Sequence, residues 1–382
     1  MPHAVDLGDS AVVMIERASG AVETYTIPWI KTGVPLRQID PVQTPLRAGR
    51  FRFESADDPG AVLRDLQVSV DPHEAAFLGF ASQSPVFALP QGFVRRLGGS
   101  TDFFLSGTYM ASGRRIGYIR IPTYSPSDQP AALAQFQQEM AFFQANTDGL
   151  VVDEMRNSGG MLCYGENIVS NLMPTNFRPL GYEIRATYDY LVKFGSALAN
   201  AQAAGNQTLI DQYQLLYNAT MASYSGNQPR TDAVPFCGPS FVRAPAKDSK
   251  GNVIAYTKPM IMLIDEFSVS TADSVPAMLQ DNGRGVLVGW RTNGMGGNNS
   301  LNIQRFQVGD YSEGDTGITL ALMVRKAPVI TPDYPPTQYI ENVGVRPDVV
   351  IDYMTRDNLM NAGRPFVQAF TDVILQLIQK GS

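Results

Sequence analysis

The sequence predicts an α/β protein with a small β-rich segment ahead of its core. Three observations predict this. Short, mostly apolar runs, Leu150-Val-Val-Asp153 and Met260-Ile-Met-Leu-Ile264, read as buried strands. A helical pattern separates such runs: Ala131 to Asn146 lies between Ile116-Gly-Tyr-Ile-Arg-Ile121 and Leu150, the rhythm of a βαβ unit. Composition is that of a globular chain, with 44% hydrophobic and 17% charged residues over 382 positions.

The elements follow in order. Ala11 to Glu16 and Val22 to Ile27 alternate in polarity and predict two strands joined by Ala18-Ser-Gly20. They read as the tail end of a small β module, residues 1–33. Residues 34–112 are rich in Pro, Gly and polar residues and predict an irregular connection with a few strands. The core is expected over 113–382. It opens on the Ile116–Ile121 strand, the Ala131–Asn146 helix and the Leu150–Asp153 strand. The Gly159-Gly160 turn and a helix near Glu166 to Leu172 follow. Tyr182 to Tyr224 is predicted mostly helical and marks an insertion at about 180–228. Further strands are expected at Met260–Ile264, Gly285–Gly289 and Ile318–Val324. Helices are expected at Ser270–Gln280 and Asn358–Lys380.

Charge and residue counts exclude several functions. Net charge is −6 with no basic stripe, which argues against nucleic-acid binding. No run approaches the ~18 apolar residues of a membrane span. Met1 to Asp9 has no apolar core of the kind a signal peptide needs. Two cysteines, Cys163 and Cys237, are too few for a disulfide framework. With only His3 and His73, and no ligand spacing, no metal site is expected and no cofactor is implied.

Three distant segments carry candidate chemistry. In Val151-Val-Asp-Glu-Met-Arg-Asn-Ser-Gly-Gly160 a buried strand runs into a glycine pair. Such a turn can aim backbone N–H groups at an anion, as an oxyanion hole requires, or can simply join strand to helix. In Leu263-Ile-Asp-Glu-Phe-Ser-Val-Ser-Thr-Ala-Asp273 a strand leads to a helix starting near Ser270. A serine there can cap the helix, or can be a nucleophile whose neighbour Thr271 offers its amide to an oxyanion. Ser268 is its rival in the same loop. In Tyr339-Ile-Glu-Asn-Val-Gly-Val-Arg-Pro-Asp348, Glu341 can orient a histidine or stand as a solvated loop carboxylate.

Taken together, these segments resemble the tail-specific (C-terminal processing) serine protease family. Asp148-Gly-Leu-Val-Val-Asp-Glu-Met-Arg-Asn-Ser-Gly-Gly160 is similar to its strand–turn motif, and Ser268-Val-Ser-Thr-Ala-Asp273 to its serine motif. Gln280-Asp-Asn-Gly-Arg-Gly-Val-Leu-Val-Gly289, Gly344-Val-Arg-Pro-Asp348 and the upstream Gly117-Tyr-Ile-Arg-Ile121 complete the order over roughly Arg115 to Ile351. The resemblance implies a crotonase-like ββα core with a helical insertion, preceded by a partial, PDZ-like module. It implies a polypeptide substrate, Ser270 as nucleophile, and the Thr271 amide plus Gly159 or Gly160 as oxyanion donors. It gives Asp281 a structural role at a helix end. Exported location follows from the resemblance alone, and homo-oligomerisation is left open.

The sequence departs from many members, which use a serine–lysine pair. Met295, in Gly294-Met-Gly296, stands at the lysine position and cannot accept a proton. Lys258 and Lys326 sit in no matching motif. Gly289-Trp-Arg-Thr-Asn-Gly294 and Glu341 instead resemble the branch that includes the tricorn core protease, which uses serine, histidine and glutamate. That branch keeps its histidine ahead of the PDZ-like module. The base is therefore expected before Met1, with the chain N-terminally incomplete, and neither His3 nor His73 matches. The alternatives are a peptide-binding scaffold without catalysis and an acyl-CoA enzyme sharing the fold. The Ser270 and Glu341 segments count against the latter.

Overall fold

A computed structural model describes residues 10–17, 19–28, 80–308 and 311–380. His3, His73 and the 34–79 part of the expected connection lie outside the described residues. The chain divides into two compact units. One combines Met1–Arg52 with Leu301–Gly317, and the other Phe53–Ser300 with Ile318–Ser382. In the first, the two strands expected at the start form an antiparallel hairpin, β1 (Ser10–Glu16) and β2 (Val22–Pro28).

The second unit is built on a seven-stranded mixed sheet. Its strands are β3 (Val94–Leu97), β4 (Leu105–Ala111), β5 (Arg114–Arg120), β6 (Gly149–Asp153), β9 (Met260–Ile264), β10 (Val286–Gly289) and β14 (Val349–Val350). The spatial order is β14-β10-β9-β6-β5-β4-β3. From β5 through β6, β9 and β10 to β14 all pairings are parallel, while β3, β4 and β5 are antiparallel. The β4–β5 hairpin straddles residue 113. A second sheet orders β11 (Gly297–Val308), β12 (Tyr311–Val329), β7 (Gly181–Ile184) and β8 (Val234–Pro235), with β13 (Thr337–Tyr339) beside β12.

Parallel strands need crossover helices, and these bury both faces of the sheet. Helix α1 (Gln129–Asn146) joins β5 to β6. Its start is set by Asp128, whose side chain accepts from the Ala131 N–H, and by Pro130 in the first turn. Helix α2 (Leu162–Leu172) follows β6, and α5 (Thr271–Asp281) joins β9 to β10. These three pack on one face. Leu150 and Val152 of β6 point into that cluster, with Phe136, Ile168 and Val275. Val151 points the other way, toward Phe366, Phe370 and Ile374 of α7 (Arg364–Lys380). The period of two along the apolar run Leu150–Val152 is thus satisfied by a core on each side.

Several expectations are corrected. The closing helix expected from Asn358 is two: α6 (Arg356–Met360), then α7, separated at Asn361–Gly363, where Ala362 and Gly363 both take positive φ. The insertion is α3 (Tyr188–Ala203) and α4 (Gln207–Ser225), but its first residues form β7, because Tyr182 and Ile184 bury against β12. The two cysteines do pair: Cys163 of α2 is bonded to Cys237, just after β8. This single bridge ties the far side of the insertion to the helix that follows the glycine turn.

Candidate active site

Ligands of open α/β sheets bind beyond the carboxyl ends of the parallel strands. Three loops gather at that end here: 154–161 after β6, 265–270 after β9 and 290–296 after β10. Backbone bonds stitch them together. Glu154 N–H donates to Leu263 O, Val269 N–H to Asn157 O, and Asn293 N–H to Ser268 O, at 3.1, 3.0 and 2.9 Å. Below them a fully buried pair, Arg120 and Asp153, meets at 2.9 Å, and Tyr118 donates to the same carboxylate.

Ser270 occupies the N-cap position of α5, as its sequence context allowed. Its backbone does not have the extended conformation of an ordinary N-cap. It sits at φ 61° and ψ −109°, a region costly for any residue with a Cβ. The residue is 2% exposed. Asp273, one turn into α5, accepts the Ser270 N–H at 2.7 Å. Its carboxylate also accepts from Gly294 N–H at 2.8 Å, Met295 N–H at 3.2 Å and Thr292 Oγ1 at 2.5 Å. Asp273 therefore holds the serine elbow and the 292–295 loop in one assembly. Burial pushes its carboxyl up to about 6, against those hydrogen bonds, which hold it down.

Gly159 is pressed against the elbow. A Cβ on it would lie 2.4 Å from Val269 O and 2.8 Å from Ser270 Cβ, and its φ is +81°. Only glycine permits both the approach and the backbone. Gly160, at φ +137°, packs as tightly against Tyr124 and Ser125. The turn is clamped from both sides. Tyr124 N–H donates to Gly159 O at 2.8 Å, and Met161 N–H to Tyr124 O at 3.0 Å. Thr271 Oγ1 donates to Gly160 O at 2.7 Å, linking turn to helix. The Gly159 N–H itself goes to Asn157 Oδ1 at 2.8 Å, and Asn157 Nδ2 donates to Ile121 O.

Glu341 lies across the 294–297 segment. Asn342 N–H donates to Gly294 O at 2.7 Å, and a Cβ on Gly297 would lie 2.9 Å from Glu341 Oε2. Burial raises the Glu341 carboxyl, while the Gly297 and Gly296 N–H groups lower it. Its Oε2 is buried without a hydrogen-bond partner among the described residues. Met295 is exposed. Asp281 accepts from Arg325 and from Lys326 N–H, tying the end of α5 to β12, the structural part expected of it.

Sequence reasoning assigned no role to Asp273, Asn157, Tyr124 or Glu154. Asp273 was legible as the third residue after Ser270, the spacing of a capping box. Glu154 is fully buried beneath the turn, where Tyr124 Oη donates to its Oε2 at 2.6 Å. Burial, with nearby Asp273 and Asp153 adding to it, drives this carboxyl well above the usual range.

The class these features define is an α/β protein whose strained, helix-capping serine abuts a glycine turn at the mouth of parallel strands. The chain belongs to peptidase family S41, a profile of which matches residues 115–351. It is 27% identical over 303 residues to a Chlamydia pneumoniae protein, covering 70% of this chain and 45% of that one. It is 29% identical over 141 residues to the chloroplastic carboxyl-terminal-processing peptidase 3 of Arabidopsis thaliana, covering 35% and 24%. The fold is similar to that of mature CPAF in complex with lactacystin, with a TM-score of 0.69 and 20% identity, covering 97% of this chain and 69% of that one. The chain spans about half the length of the curated chlamydial relatives it matches.

Proposed function

We propose that this chain carries the catalytic unit of a serine peptidase that cleaves polypeptides through a Ser270 acyl-enzyme. The observation that carries the reading is the backbone of Ser270, strained at φ 61° at the start of α5 and braced by Gly159. A residue that only capped a helix would have no use for that conformation. Glu341 is the orienting acid: its buried, unpartnered Oε2 suits an imidazole N–H. The general base is a histidine outside the described residues.

In this reading the imidazole takes the Ser270 hydroxyl proton as Oγ attacks the scissile carbonyl carbon. The oxyanion is stabilised by the Thr271 N–H and one glycine N–H of the turn. Gly160 serves directly, whereas Gly159 serves only after Asn157 releases its amide. The imidazolium then protonates the leaving amine, and water hydrolyses the acyl-enzyme by the reverse sequence.

A fluorophosphonate probe tests this. Covalent labelling at Ser270, abolished by Ser270→Ala and weakened at least tenfold by Glu341→Gln, is the expected result. Folded protein that no probe labels, even with added imidazole, supports the non-catalytic peptide-binding reading. That reading is favoured by one observation: Met295, whose side chain cannot accept a proton, stands in Gly294-Met-Gly296 where the resemblance would place a lysine.

A further inference from the structure

Arg185 and Arg230 face each other across an isolated antiparallel bridge. The backbone fixes this placement: Arg185 N–H donates to Leu320 O at 2.8 Å and Ala186 N–H to Pro229 O at 3.1 Å. Like charges directly opposite on a ladder repel, so an arrangement of this kind invites an anion. Arg230 is partly offset. Its NH1 lies 3.3 Å from Glu183 Oε2, and its guanidinium lies 5.6 Å from the centre of the Tyr339 ring. Tyr339 Oη also donates to Glu183, at 2.9 Å. Arg185 has no such partner. Its Nε donates to Thr319 O at 3.1 Å, which orients the planar head, and no carboxylate among the described residues pairs with it.

Both arginines line a cavity of about 410 Å³ whose apolar wall is Leu320 to Leu322 of β12. Glu341 lines it too, so the cavity adjoins the acid assigned above. Glu183 is engaged by Arg230 and Tyr339, and Glu341 is the acid assigned above to an imidazole. The guanidinium fork of Arg185 is the group left without a counter-charge. A fork of N–H donors matches a carboxylate in two parallel bonds, and a recess beside it supplies room for the methylene stem.

We propose that this cavity is a specificity subsite taking an aspartate or glutamate side chain of the polypeptide substrate, with Arg185 as its direct partner and Arg230 as the second positive charge. The proposal rests on the peptidase reading for its substrate class. The binding it describes is separable from the chemistry.

Binding is measured by fluorescence anisotropy on the full chain carrying Ser270→Ala. The probes are labelled peptides that differ at single positions, Glu against Gln. The expected result is a preference of about tenfold for Glu at one position, weakened by salt because the charges are partly exposed. Arg185→Ala brings the ratio to within about twofold, and Arg185→Glu inverts it in favour of a lysine peptide. Inversion cannot come from misfolding. Equal binding of Glu and Gln peptides at every position overturns the proposal. So does a preference that vanishes when the peptide C-terminus is amidated, since the occupant is then the chain end. Glu preference without hydrolysis by the Ser270 form overturns the catalytic reading and upholds the subsite. Hydrolysis with equal kcat/KM for both peptides overturns the subsite alone.

Discussion

The Asp273 carboxylate accepts the backbone N–H of Ser270 at 2.7 Å, and through its other oxygen the N–H of Gly294 at 2.8 Å. One buried side chain therefore couples the strained serine to the loop against which Glu341 is set. Asp273→Asn replaces one acceptor oxygen by a donor and sets it against N–H or O–H groups already pointing inward. Each buried donor left unpaired costs roughly 1–3 kcal/mol. A loss of about 2–4 kcal/mol by urea denaturation is expected, with probe labelling at Ser270 reduced even below the transition. A variant as stable and as reactive as the parent would show that this bridge does not hold the elbow.

The same residue gives opposite pH trends for stability and local order. Its folded pKa, about 6, lies above the ordinary aspartate value near ~3.9. Between those values the folded state binds more protons than the unfolded one, so this contribution to stability falls as pH rises from about 4 to 6. Asp265, raised to about 6 chiefly by burial, adds to that trend. Protonation, however, removes an acceptor site on Asp273. The Ser270 and Gly294 amides should exchange hydrogen faster below pH 6, after correction for intrinsic rates, while the denaturation midpoint rises. Exchange that stays flat from pH 7 to 5 would contradict the coupling.

The parts of the fold legible in the sequence are those where one interaction dominates. β6 and β9 are buried on both faces, and their apolar runs, Leu150–Val152 and Met260–Ile264, mark them as buried strands. β3 is an edge strand of Val94-Arg-Arg-Leu97, and its two arginines hide the strand pattern. β7 has four residues at the entrance to a helical insertion, too few for a period to emerge. In the site, Ser270 and the Gly159-Gly160 turn stood out by order along the chain. The Tyr124–Glu154 bond did not, because it joins residues 30 apart through a buried acid that the pattern reads as an interruption. The Cys163–Cys237 pair depended on how α2 packs against the loop after β8, which the sequence does not encode locally.

Gly159→Ala tests the close approach of the turn to the elbow. The added methyl would meet Val269 O at 2.4 Å and Ser270 Cβ at 2.8 Å, on a residue at φ +81°. Neither neighbour is the free end of a flexible side chain. Left-handed strain and overpacking each cost roughly 1–3 kcal/mol. The variant is expected to lose about 3 kcal/mol and nearly all labelling of Ser270. Gly205→Ala, at φ +65° in open space between α3 and α4, provides the comparison: strain without a clash. If the two variants behave alike in both measurements, the packing argument fails.

Reduction of the Cys163–Cys237 bridge should loosen the insertion. The bridged residues are 74 apart, enclosing β7, α3, α4 and β8. Closing a loop of that length restricts the unfolded chain by about 4 kcal/mol. Cys163→Ala with Cys237→Ala should lower the unfolding free energy by roughly that amount. Proteolysis should then begin within 181–235, ahead of the parallel core. First cuts outside that region would place the bridge's effect elsewhere.

Ser270→Gly separates a strained elbow from an ordinary cap. At an extended N-cap, replacing serine by glycine costs a few tenths of a kcal/mol, roughly, because the hydroxyl's bond is lost and little is gained. At φ 61° and ψ −109° the balance reverses. Glycine adopts that backbone without the Cβ conflict, which relieves roughly 1–3 kcal/mol, against about 0.5–1 kcal/mol of extra chain entropy to be lost on folding. Asp273 keeps its bond to the residue 270 N–H in either case, since that bond is to the backbone. Ser270→Gly should therefore be more stable than the parent by about 1 kcal/mol while losing all labelling, and Ser270→Ala should lose labelling without the gain. A strained serine whose removal stabilises the fold is kept for its hydroxyl. A glycine variant less stable than the parent would return Ser270 to the role of a helix cap.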